Sequence, residues 1–300
     1  MWGYNARIRL SNNMSQQTRT KKTILAVLAH PDDESFGMGG TLAYYASKGV
    51  EVHLVCATRG EAGTVDAEFM KGYKSIAELR EAELRCAAKA LGLKSVSYLG
   101  FRDSGMAGHK DNQHRNSLFK APVDKVAEKI VAHIRRLRPQ VVLTFDQVGG
   151  YHHPDHIAVN QATVRAFHAA GDAKKYPKAG KPYQPGKLYF NALNRRRLRR
   201  MVGMMRLTGK DPTKIGRNQD IDLTVLTRDK DTPAHVVINY RSVQDRKDKA
   251  DACHASQQGG WGTHFSLLDF LSRLIGRKNV FTRAHPPTPD SYRANDLFAD

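Results

Sequence analysis

The sequence predicts an α/β fold: a Rossmann-like, doubly wound, mostly parallel sheet with helices on both faces and an irregular C-terminal part. Two observations predict it. Short apolar runs of strand length alternate with longer segments of helical period through the first 170 residues. Two His-Pro-Asp tripeptides, at 30–32 and 153–155, follow the first and fourth of those runs. Open α/β sheets carry their sites at such strand ends.

The elements follow in order. Thr23–Leu28 (TILAVL) is an uninterrupted apolar run, as a strand buried on both faces requires. Gly37–Lys48 is a helix-length segment, and Glu51–Ala57 is the second strand. Lys71–Leu91 repeats Ile76, Leu79, Leu84, Ala87, Ala88 and Leu91 on or near one helical face, and Gly92 is placed to end it. Val96–Leu99 reads as the third strand, Val123–Leu137 as a helix, Gln140–Phe145 as the fourth strand and His156–Ala169 as a helix. Such alternation implies parallel strands joined by helical crossovers. After it, 173–187 reads as a surface loop, Lys187–Ala192 as a strand and Arg195–Leu207 as a basic helix. Residues 209–220 read as a linker or lid, Val236–Asn239 as a strand and Val243–Ser256 as a helix. No internal repeat or second core appears, so 23–300 is expected to be one domain.

Composition narrows the class. With 40% hydrophobic and 26% charged residues the chain has enough apolar surface for a core, which excludes a disordered protein. No apolar run reaches the roughly 18 residues of a membrane span. Cys56, Cys86 and Cys253 are too few and scattered for a disulfide scaffold and fit a reducing, cytoplasmic setting.

The formal charge of +19 first suggests a nucleic-acid footprint. Its distribution argues otherwise. Residues 1–22 hold five Lys/Arg and no acid, and 173–217 hold fourteen Lys/Arg and only Asp211. The rest is nearly neutral, whereas a nucleic-acid-binding face should be basic more broadly. The first 22 residues read as a disordered basic tail, with Met14 as an alternative start. The 173–217 segment reads as a basic insertion, with Arg195–Arg200 on a solvated helix face. The other readings of that cluster are a preference for a phosphorylated or carboxylated substrate and weak contact with an anionic surface; no specific nucleic-acid partner is expected.

The chemistry concentrates in Ala29-His30-Pro31-Asp32-Asp33-Glu34 and Gly150-Tyr151-His152-His153-Pro154-Asp155-His156. One His-Pro-Asp tripeptide alone would be turn and helix-cap chemistry. Two copies at strand ends, rich in imidazole and carboxylate, suit a metal such as Zn²⁺, with Fe²⁺ as the alternative. A neighbouring free carboxylate would then take a proton from the attacking water.

These motifs resemble the zinc-dependent de-N-acetylases related to N-acetylglucosaminyl-phosphatidylinositol deacetylase, the LmbE-like group. The likeness continues in Thr58–Gly63 (TRGEAG), Glu78–Leu84 (ELREAEL), Leu99–Met106 (LGFRDSGM), Lys187–Phe190 and His254–Gln257 (HASQ). It spans roughly residues 23–260 and looks nearest to the branch acting on glucosaminyl-inositol thiol precursors and conjugates. It implies His30, Asp33 and His156 as metal ligands and Asp32 as the base that activates water and later protonates the leaving amine. It implies that His153 stabilises the developing oxyanion and that Tyr151 is a mobile group polarising the carbonyl. Arg80 and Asp103 would hold sugar hydroxyls.

Other residues carry plainer readings. Asp155 is expected to cap its helix or orient a ligating histidine, and Glu34 to cap or support. His152, where the family commonly has a small residue, is a neighbour of the site. His109 and His114 sit in a solvated loop, and Arg59 and Glu61 at the rim. Cys56 and Cys86 read as buried small hydrophobes, and Cys253 as a thiol without a partner. The resulting expectation is a metal-dependent hydrolase that removes the N-acetyl group from an N-acetylglucosamine-type sugar, glycosyl-inositol or thiol precursor. An amidase acting on thiol S-conjugates is the alternative, and a non-catalytic basic binding protein the third reading. The partner is a small N-acetylated amino sugar or conjugate.

Overall fold

A computed structural model describes residues 21–193, 195–215, 219, 221–258 and 277–300; the basic tail expected at 1–22 lies almost wholly outside them. A seven-stranded sheet runs through the molecule in the order β3-β2-β1-β4-β5-β7-β6. Its strands are β1 (Thr23–Leu28), β2 (Glu51–Cys56), β3 (Ser95–Tyr98), β4 (Val141–Thr144), β5 (Lys187–Asn191), β6 (Val236–Asn239) and β7 (Lys278–His285). The first five are parallel, whereas β7 is antiparallel to both β5 and β6. β1 and β4 are buried along their whole length, which is why they are apolar without alternation.

The helices are α1 (Asp33–Ser47), α2 (Ile76–Leu91), α3 (Val123–Leu137), α4 (Gly149–His152), α5 (Pro154–Ala169), α6 (Arg195–Leu207), α7 (Leu223–Leu226) and α8 (Gln244–Cys253). α2 starts five residues later than its apolar period suggested. Ser75 caps it by accepting from the Glu78 amide at 3.2 Å. Gly92 ends it in the left-handed region at φ 79°, where glycine carries no Cβ penalty. α1 starts four residues earlier than expected, so Asp33 and Glu34 lie in its first turn.

Three features of the second half depart from the sequence reading. β7 went unread because Lys278, Asn279, Thr282 and Arg283 interrupt its apolar residues; it turns an irregular end into two antiparallel strands. Cys86 and Cys253 form a disulfide between α2 and α8 across 167 residues of chain, so neither is the free thiol expected. Arg195 is not on a solvated face: it is 2% exposed, while Arg196, Arg199 and Arg200 are exposed. α6 and α7 form a second, small apolar cluster of Leu198, Val202, Met205, Leu223 and Leu226, separate from the main core.

The winding direction reverses between β1 and β4. From β1 the chain moves outward to β2 and β3, then returns to lay β4 on the other side of β1. The carboxyl ends of these two adjacent strands therefore open the crevice where doubly wound sheets place their sites. Both His-Pro-Asp tripeptides lie there.

Candidate metal centre

β1 delivers Ala29 and His30, and the chain turns sharply into α1. Asp33 Oδ2 closes the turn by accepting from the amides of Ala29 (3.2 Å) and His30 (2.7 Å). Asp32 adopts φ 137°, a strained conformation for a non-glycine residue. The fold holds it from several sides. Its amide donates to Glu34 Oε2 at 3.0 Å, and its carbonyl accepts from the amides of Ser35 and Phe36, each at 2.9 Å. Arg80 of α2 donates to Asp32 Oδ2 at 2.9 Å and to the Pro31 carbonyl.

After β4, Phe145 stacks flat on His156, with ring centroids 3.8 Å apart and planes 9° apart. The intervening turn needs glycine. Gly149 has φ 69°, and a Cβ there would lie 2.8 Å from Ile157 Cγ1 and 3.1 Å from His156 Cβ. His153 then caps α5, its Nδ1 accepting from the Asp155 amide at 3.1 Å, with Pro154 in the first turn. When the ring is neutral, that bond leaves the proton on Nε2.

The two strand ends bring three donor groups together. His156 Nε2 lies 3.3 Å from His30 Nδ1 and 3.2 Å from Asp33 Oδ1, and His30 Nδ1 lies 3.6 Å from Asp33 Oδ2. Ligands about 2.1 Å from a tetrahedral ion stand about 3.4 Å apart, which the two imidazole nitrogens match, while Asp33 approaches them with different oxygens, Oδ1 toward His156 and Oδ2 toward His30. The far nitrogen of His30 faces carboxylates: Nε2 is 3.2 Å from Asp155 Oδ2 and 3.4 Å from Asp103 Oδ1. Such a carboxylate behind an imidazole fixes its tautomer and raises its basicity as a ligand. His153 also offers a nitrogen within 4.8 Å of those of His30 and His156, as do carboxylates of Asp103 and Asp155 around His30. The nitrogen–carboxylate set suits Zn²⁺ or Fe²⁺.

Burial and crowding shape the charges. Burial pushes the Asp32 carboxyl up to about 6, opposed by the Arg80 guanidinium and reinforced by Asp33. Burial also raises Asp33, but His156 and His30 pull it well below the usual carboxylate range. Burial opposes a charge on His30, yet Asp103, Asp155 and Asp33 hold its pKa well above normal. His153 goes the other way, lowered by burial and then by the charges of His30 and His156.

All eight residues singled out from the sequence lie in or beside this crevice. Tyr151 stands over the histidines, its ring centroid 5.0 Å from that of His156 and 5.8 Å from that of His153. Asp103 sits behind His30, its carboxylate also accepting from the Ala62 and Gly105 amides at 3.2 and 2.8 Å. Arg80 is buried and committed to Asp32 and Pro31. Asp155 orients His30, not a residue of its own helix, and its Oδ2 also accepts from the Ser104 amide at 2.9 Å. The 104–117 loop is better packed than a solvated loop: Asn112 is buried and donates to the Ser104 and Met106 carbonyls. Of its histidines, His109 accepts from the Asp111 amide.

Two supporting residues were not legible as such. His254, fully buried, places Nε2 2.7 Å from Glu34 Oε1. Ser256 donates to Glu83 from both amide and hydroxyl at 2.8 Å, and Glu83 Oε2 lies 3.8 Å from Arg80 Nε. The late HASQ segment thus braces the helices that carry Asp32 and Arg80.

Fold and site together define a doubly wound α/β protein with a buried imidazole–carboxylate cluster that could hold a metal ion at its switch point. Residues 25–167 match the family model PIG-L, described as GlcNAc-PI de-N-acetylase. The chain is 36% identical over 296 residues to the 1D-myo-inositol 2-acetamido-2-deoxy-alpha-D-glucopyranoside deacetylase of Thermobifida fusca (strain YX), covering 93% of this chain and 99% of that protein. The chain belongs to the PIG-L family of de-N-acetylases. Solved structures share the fold. The N,N'-diacetylchitobiose deacetylase from Pyrococcus horikoshii superposes with a TM-score of 0.60 at 19% identity, covering 91% of this chain and 87% of that one. The 4-carboxy-2-hydroxymuconate hydratase from Pseudomonas putida KT2440 superposes with a TM-score of 0.56 at 20% identity, covering 89% of this chain and 98% of that one. A fold that carries a hydratase as well does not by itself decide the reaction; the site residues must. Among the described residues, no helix is long and apolar enough to cross a membrane.

Proposed function

We propose that this protein hydrolyses the acetamide of an N-acetylglucosaminyl group joined to inositol, with His30, Asp33 and His156 holding a Zn²⁺ or Fe²⁺ ion and Asp32 as the base. The observation that carries the reading is the approach of the His30 and His156 nitrogens to 3.3 Å, with one Asp33 oxygen near each, beside a carboxylate that Arg80 holds. The inositol glycoside follows from the relative's named substrate and the near full-length match.

The ion, when bound, supplies Lewis-acid polarisation of the amide carbonyl and lowers the pKa of water. The chain supplies the rest. Asp32 accepts the proton of the attacking water and passes it to the departing amine, without which an amide nitrogen is a poor leaving group. Arg80 keeps the carboxylate aimed while it cycles. His153 donates from Nε2 to the oxygen that gains charge, since Nδ1 is occupied by the Asp155 amide. Tyr151 offers a hydroxyl to the same oxygen. Asp103, besides orienting His30, would accept from a sugar hydroxyl.

The test is acetate release from N-acetylglucosaminyl-inositol by purified protein, with the free sugar and a thiol S-conjugate alongside. The proposal expects the inositol glycoside to be turned over fastest. Acetate from none of them, by metal-replete protein, contradicts it.

A further inference from the structure

The turn that carries Tyr151 is poorly equipped to hold itself. Gly149, Gly150 and His152 have φ of 69°, 66° and 66°, so a regular helical ladder cannot form. Its anchors come from outside. The Gly150 amide donates to Asp146 Oδ1 at 2.7 Å, and His152 Nε2 lies 2.9 Å from Asp229 Oδ2. One buried guanidinium joins the two carboxylates. Arg195 Nη2 lies 3.5 Å from Asp146 Oδ2 and Nη1 lies 3.2 Å from Asp229 Oδ2. Its Nε and Nη1 also donate to the carbonyls of Lys230 and Leu226, at 2.9 and 3.2 Å. Tyr151 sits between the two anchors and packs against the α6–α7 cluster.

We infer that Arg195 is a positioning residue: through Asp146 and Asp229 it sets where the Tyr151 turn stands over the metal centre, tying the α6–α7 unit to the reaction. The basic segment thus contributes to the site with a buried arginine, Arg195, rather than with its exposed charge. This rests on the role given to Tyr151 above. A purely structural arginine would stabilise α6–α7 without touching turnover at saturating substrate. A positioning arginine acts on kcat, and only through the tyrosine.

The experiment is a double-mutant cycle on kcat and KM with the metal-replete enzyme. Tyr151→Phe should lower kcat about 100-fold, as loss of an oxyanion donor does. Arg195→Met should lower kcat about tenfold with KM within twofold, as misplacement of a catalytic group does. Arg195→Lys should recover part of that loss. In the Tyr151→Phe background, Arg195→Met should cost less than twofold further. His152→Ala, at a half-exposed side chain, cuts the same anchor without emptying the buried guanidinium site. It serves if Arg195→Met does not fold, and should show a smaller loss that also vanishes in that background. Equal losses in both backgrounds, or unchanged kcat in the variants of the anchor, overturn the inference while leaving Tyr151 catalytic. Unchanged kcat in Tyr151→Phe overturns the role of the tyrosine and the inference with it.

Discussion

Arg80→Met removes the cation that keeps Asp32 in place, and its consequence can be worked from the contacts. The guanidinium is 3% exposed and the Asp32 side chain 21% exposed, so the pair is largely shielded from water. Breaking one partner of a buried pair costs about 3–5 kcal/mol, and partial exposure of Asp32 favours the lower end, about 3 kcal/mol. Methionine fills similar volume, so the cavity contribution is small. Two effects should appear. The midpoint of urea unfolding should fall by an amount equivalent to about 3 kcal/mol with the slope unchanged. Catalysis should also fall, because Asp32 loses the contact that aims it. If most of that energy serves to hold the carboxylate in its reactive position, kcat/KM drops about 100-fold. Acetate release under saturating metal measures it, with metal content confirming that the ligands are intact. A variant with kcat/KM within threefold of wild type would refute the reasoning, since Arg80 would then not govern Asp32.

Two further expectations test the framework. Replacing Cys86 and Cys253 by serine should lower unfolding stability by about 2–4 kcal/mol, because the bridge closes a long loop in the unfolded chain; equal midpoints with and without reductant would contradict this. Burial, followed by Arg136 and Lys129, lowers His133 from 6.5 to about 4 in the folded protein. The unfolded chain then takes up a proton below pH 6.5 that the folded chain refuses until about pH 4. Stability is full above pH 6.5 and falls between those values, by about 1 kcal/mol after allowing for solvent screening at this partly exposed ring. His133→Gln should flatten that part of a stability–pH profile, and an unaltered profile would contradict the assignment.

The parallel half of the sheet was legible because burial on both faces writes itself as unbroken apolar runs, as in Thr23–Leu28. The place of the candidate site was legible because the two strand ends carry the same tripeptide, and the ligand set proposed there came from the family resemblance. What stayed hidden depends on partners distant in sequence. β7 alternates with polar residues because it lies toward the sheet edge between β5 and β6. Nothing local marks Cys253 as lying opposite Cys86, since spacing does not fix pairing across 167 residues. The same holds for His254 against Glu34, 220 residues apart. Arg195 was hidden by its company: within a run of arginines the pattern says solvent, and only Asp146 and Asp229 set it apart. Arg80 was visible through the family motif, but its commitment to Asp32 came from the packing of α2 against the first turn of α1.

The most direct test of the central claim is metal content per chain in wild type, His156→Ala and Asp32→Asn, measured beside acetate release. Ligands and base are assigned to different residues, so the two readouts should separate. Wild type should hold about one Zn²⁺ or Fe²⁺ and be active. His156→Ala should lose both metal and activity, and Asp32→Asn should keep the metal and lose activity. A His156→Ala protein that retains a full complement of metal would contradict the account.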